Sequence, residues 1–244
     1  GAYEESRMTF LELVNEVLVR MREDEITSVN DPDNDPQQKL VCKFVKDAHR
    51  RVSDAHTWNA NRRVWLVDLL HGVSRYTLPE TPQGSAIYSV ARTKPVQSLM
   101  EVNARKFAHF QPHQGTPTYY APMTTVNGNL ELQVHPTPDN THGSTGDVRR
   151  YTQAQFGASA FSSGTKALTV TGYAKPLPLK GDADVIQIPD APVLDYAMYL
   201  AHSERGEAGG QSAAELAQIA NISLGDAIAW DVDNSPAEYI WEAV

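Results

Sequence analysis

The chain has 244 residues, of which 41% are hydrophobic and 21% charged, a near-average globular balance that excludes wholesale disorder and fibrous repeats and allows one large domain or two small ones. Its single cysteine, Cys42, excludes an internal disulfide framework and a cysteine-based zinc site; apolar runs such as residues 64–67 fall far short of the roughly 20 residues of a membrane span, so a soluble protein without a leader is expected. The net charge of −9 is uneven: residues 181–244 hold twelve acids against one base, Arg205, while residues 1–180 sum to +2, which argues against sequence-specific nucleic-acid binding by the C-terminal part.

Phe10, Leu13, Val14, Val17, Leu18 and Met21 fall at helical spacing and predict a first helix near residues 8–25, capped by Ser6 or Thr9. It stops before the run from Asn30 to Pro36, where prolines and Asx side chains compete with helical hydrogen bonds. Leu40, Val41, Phe44, Val45, Ala48, Val52 and Ala55 mark a second helix over 37–58, with Pro36 suited to its first turn.

From Arg62 the pattern turns to short runs rich in β-branched and aromatic residues: 64–67, 75–78, 87–90, 119–120, 130–134, 148–153 and 168–173. Asn127-Gly128 predicts a type I′ hairpin turn. Helical signals return at Asp190 and Pro192, predicting helices over 191–205 and 212–231; Ser212 and Glu215 form a capping-box pattern, and Leu216, Ala217, Ala220, Leu224 and Ala227 form a stripe. The expected fold is therefore α+β. N- and C-terminal helix pairs (1–60 and 188–234) form a four-helix bundle, an antiparallel β-sandwich or barrel occupies 61–187, and a C-terminal docking tail follows at 235–244.

No residues stand out for chemistry. His109 and His113 are four apart but separated by Pro112, and no metal-binding motif surrounds them; His135, His142 and His202 read as surface or core-edge residues. Gly157 and Gly164-Thr165-Lys166 do not form a phosphate loop, because the lysine follows the threonine and a strand follows the lysine. Cys42, between apolar neighbours on a helix, reads as a small core residue. No catalytic residue, metal or cofactor is expected.

Met8 to Leu18, Arg50 to Ala55 ahead of Trp58, Gly115 to Tyr120, Leu132 to Pro138, Ile188-Pro189-Asp190 and Glu204-Arg205-Gly206, taken in this order, resemble the head-to-tail adaptor proteins of tailed bacteriophages, of the kind called tail tubular protein A in short-tailed phages. Residues 83–100 and 156–166 match nothing in that pattern. The resemblance implies a non-enzymatic virion protein of the particle neck, assembled in the host cytoplasm, in a ring of commonly twelve identical subunits. Its implied partners are the portal, neighbouring subunits and a tail or nozzle protein, with DNA passing through the lumen without sequence-specific binding and no membrane involved. The alternatives are a β-sandwich module binding carbohydrate or protein, and a hydrolase with an unmarked carboxylate pair. Tyr239, Ile240 and Trp241, three large apolar residues beyond the Ser235-Pro236 helix stop, are the candidate interface to portal or neighbour.

Overall fold

A computed structural model describes residues 7–93, 96–139, 146–151, 167–205 and 213–234. The chain is α+β and divides into a helical unit, residues 1–60 with 178–244, and a β unit, residues 61–177.

In the helical unit α1 (Phe10–Arg20) opens on a reciprocal cap: Glu12 N–H donates to Thr9 Oγ1 and Thr9 N–H donates to Glu12 Oε2 at 2.7 Å. It ends short of the expected residue 25. Arg22 takes a φ of 60°, Arg22 N–H bonds Val19 O and Glu23 N–H bonds Leu18 O, a Schellman stop carrying arginine where glycine is usual. Both amide atoms of Asn15 then hold the backbone of Ile26, at 3.0 and 2.9 Å. The second helix, α2 (Pro36–Ala55), repeats the device with Asp35 and Gln38 as capping partners and Pro36 in its first turn. It ends at Ala55 rather than near Trp58, since His56 is extended; Trp58 is fully buried and its indole N–H donates to Val52 O at 3.0 Å.

The last two helices are α4 (Asp190–Arg205) and α5 (Ala213–Asp233). Phe10, Leu13, Val17, Val41, Val45, Val52, Val193, Ala197, Ala201 and Ala220 belong to one core, so all four long helices contribute. The alternating chain before α4 belongs here too. Leu179, Ile186 and Ile188 enter the same core, Phe10 N–H bonds Asp184 O and Ile186 N–H bonds Met8 O. The expected Ser212 cap lies outside the described residues.

The β unit contains β1 (Arg62–Asp68), β2 (Arg75–Thr77), β3 (Ala86–Thr93), β4 (Val96–Ser98), β5 (Met100–Glu101), the single-turn helix α3 (Ala104–Phe107), β6 (Tyr119–Thr124), β7 (Leu130–His135), β8 (Val148–Tyr151) and β9 (Ala167–Tyr173). They form two sheets, ordered β4-β3-β9-β1-β8 and β2-β7-β6-β5. Among the described strands the pairings are antiparallel, as expected of the domain, except β5 on β6, which run parallel. The connection from β5 passes through α3 and a loop before returning, long enough to let the two strands run the same way. Trp65, Val67, Val90, Leu168 and Val170 of the first sheet share a core with Tyr76, Tyr120, Leu132 and Val134 of the second. The β6–β7 turn also differs from expectation: only Gly128, at φ 83°, is left-handed, and Gly128 N–H bonds Thr125 O, so the loop is a three-residue turn with a glycine bulge rather than type I′.

Candidate functional site

The candidate interface residues Tyr239, Ile240 and Trp241 lie outside the described residues. What leads to them is α5. Its inner side carries Leu216 and Ala220, buried, with Leu224 and Ala227 packed against the core. A neighbouring stripe, set by the same 3.6-residue period, carries Ile219, Ile222 and Trp230, which are 43, 55 and 67% exposed. Large apolar residues left in water along one helix side mark an interaction surface more often than a solvated face.

Beside the last turns of α5 lies a groove of about 750 Å³, within the size range of ligand and peptide sites. Its apolar lining includes Met8, Ile186, Ile188, Ala227 and Trp230. One wall is held by Asp231, whose carboxylate accepts from Asn59 N–H at 3.1 Å and contacts His56 Nε2 at 3.0 Å, while Asn59 Nδ2 donates to Asp231 O at 2.7 Å. His56 in turn meets Trp58 edge-on at 5.0 Å. The C-terminal end of α5 is thereby fastened to the chain leaving α2.

In the β unit five rings gather where β7 ends. His135 stacks on Phe110 at 4.7 Å, meets His113 edge-on at 4.8 Å and Phe107 at 5.8 Å, and Phe110 contacts Tyr119. Burial, then the neighbouring His113, pulls the His135 pKa down. The histidine pair brought together is thus 113, in the loop after α3, with 135, at the end of β7, and not 109 with 113; sequence spacing carries no signal for such a contact. The cluster packs the loop after α3, with Thr137 N–H on His113 O and Gly115 N–H on Thr137 O. Nearby, Tyr120 donates to Glu101 Oε2 at 3.2 Å, and burial followed by that carboxylate pushes its phenol up to about 12. Among the described residues no three His, Cys, Asp or Glu side chains come together as a metal site, and no helix is long and apolar enough to cross a membrane. His142 and residues 157–166 lie outside the described residues. Cys42 is buried and its thiol is pushed up by that burial, which suits a packing residue rather than a nucleophile.

Charge separates with the units. The β unit holds eleven Lys or Arg against six Asp or Glu, a net of +5, and the helical unit ten against twenty-four, a net of −14. A family model described as SU10 adaptor protein matches residues 8–238, nearly the whole chain. No curated protein matches it.

Proposed function

The chain belongs to the SU10 adaptor protein family, a phage head-to-tail adaptor family, and from that membership we propose that it is a non-enzymatic ring subunit of the virion neck. The ring, of twelve copies assembled in the host cytoplasm, docks under the portal, extends the DNA channel and offers a platform to the tail or nozzle protein. A ring needs a heterologous interface that closes on itself, and no chemistry. The four long helices form its bundle, and the net −14 of their unit faces the lumen, where a surface that neutralises few phosphates releases few counterions and lets DNA slide. Tyr239, Ile240 and Trp241 anchor the subunit to the portal, since Tyr and Trp are frequent hot-spot residues.

The family match across residues 8–238 carries this reading, and the exposed Ile219, Ile222 and Trp230 on α5 support it. Native mass spectrometry of the chain alone and with portal rings tests it. The expected result is a cyclic assembly, alone or triggered by the portal, with neighbour interfaces above about 2,000 Å² as in obligate oligomers. A chain that stays monomeric and also ignores the portal overturns the adaptor reading. A folded variant lacking residues 235–244 that still joins portals overturns the anchor alone.

A further inference from the structure

We propose that the outer face of α5 docks on the β4–β5 edge of a second copy of the chain, so that each subunit offers one surface to each of two neighbours. The pairing rests on the ring reading for its closure and on the residues for its two surfaces. Along α5 the helical period puts Glu215, Asp226 and Asp233 on the same side as Ile219, Ile222 and Trp230, all six exposed, and no lysine or arginine occurs between Ala213 and Asp233. That side is apolar and acidic, and an apolar, basic surface fits it. Such a surface stands on the β unit. β4 ends the five-stranded sheet, β5 ends the four-stranded one, and Leu99 alone separates them, so residues 96–101 form the margin of both sheets. Leu99 turns into the core, whereas Val96 and Met100 are 84 and 64% exposed. β4 has neither a charge nor a proline to protect this edge, and folded proteins cover such edges. Arg105 and Lys106 follow on α3, both exposed, while Glu101, the one acid of 96–106, accepts from the Tyr120 hydroxyl.

Charge selects the occupant. Two α5 faces brought together would oppose Asp226 and Asp233 to their own kind, and two β4–β5 edges would do the same with Arg105 and Lys106. Either contact is also isologous and stops at a dimer. The mixed pair sets acid against base and apolar side chain against apolar side chain. It leaves each copy one unused surface for the next, as a ring requires. The lengths agree: Ile219 to Asp233 rises about 21 Å along the helix, and residues 96–101, extended, cover about 17 Å before α3 begins. The net +5 of the β unit and −14 of the helical unit add attraction of the same sense between copies.

The test mixes two full-length variants, each with one new cysteine at an exposed position: Ile222→Cys in one and Val96→Cys in the other. Thr77→Cys, on β2 at the opposite edge of the four-stranded sheet, is the control partner. Cys42, buried, does not compete. Under mild oxidation, alone or with portal rings, the expected result is a 222–96 disulfide forming about tenfold faster than the 222–77 control. Since each chain carries one of the two cysteines, this link forms only between copies. A rate no greater than the control, or links found only as 222–222 or 96–96, overturns the pairing; rings that still assemble then leave the ring reading standing. A chain that joins neither other copies nor a portal overturns both. Charge gives a second readout: Arg105→Glu with Lys106→Glu should lower assembly about tenfold, and adding Asp226→Lys with Asp233→Lys to the same chain should restore it. Undiminished assembly of the first variant, or no recovery in the second while both remain folded by circular dichroism, equally overturns the pairing.

Discussion

At the residue scale, His49 shows how burial writes a pH dependence into the helical core. It sits on α2, 5% exposed, and burial pulls its pKa from 6.5 to about 4. Between those values the unfolded chain binds a proton that the folded chain refuses, so stability rises with pH across the window and is lost as pH falls from 6.5 toward 4. The loss is on the order of 3 kcal/mol. His135 acts in the same direction in the β unit, whereas the lowered carboxyls of Glu12 and Asp184 cost stability only at more acidic pH. His49→Leu should therefore flatten the fall in urea midpoint between pH 6.5 and 4.5, and an unchanged slope would sink this assignment. Leu13, fully buried on α1, gives the harsher case: Leu13→Asp places an unpaired charge in the core and should cost several kcal/mol, read as loss of the native melting transition.

At the element scale, two glycines have opposite predicted responses to the same methyl group. A Cβ on Gly172 in β9 would lie 2.3 Å from Ala86 O and 3.1 Å from the Trp65 ring, because β3 and β9 approach closely beside the bulge between Ile87 and Ser89. Gly172→Ala should destabilise the β unit by roughly 1–3 kcal/mol or more, as overpacking does. Gly225, inside α5, has nothing within 4 Å of its missing Cβ, so Gly225→Ala should stabilise by about 0.5–1 kcal/mol through helix propensity. Melting temperatures moving in the same direction would refute the contrast. These elements also mark what could be read from the chain alone. The apolar stripe of α1, the Pro36 start of α2 and the β7 run 130–134 were legible because period and caps are local. The stop at Arg22 was not, since it uses a non-glycine residue in the left-handed region; nor were β4 and β5, whose two or three exposed residues show no alternation. The aromatic cluster around His135 was hidden for a different reason: α3, the loop after it and β7 meet only in the folded sheet.

At the scale of the whole molecule, the β unit is an insertion whose two ends lie side by side. Arg62 pairs with Tyr173 across β1 and β9, and Ala174 N–H donates to Asn61 O at 3.0 Å, so entry and exit are adjacent strands of one sheet. Among the described residues, the core of Trp65, Val90, Leu132 and Val170 draws none from outside 61–177, and the helical core draws none from inside. A segment with its own core and neighbouring ends can be removed without leaving a gap that a chain must span. Residues 61–177 expressed alone should fold with strand-type circular dichroism and one cooperative melting transition. Charge supplies a second readout: the excised unit, at a net +5, should bind a cation exchanger at pH 7, where the whole chain, at −9, binds an anion exchanger. A fragment that is unfolded by dichroism would mean that the insertion depends on the helices for its stability, and the division into two self-sufficient cores would fall with it.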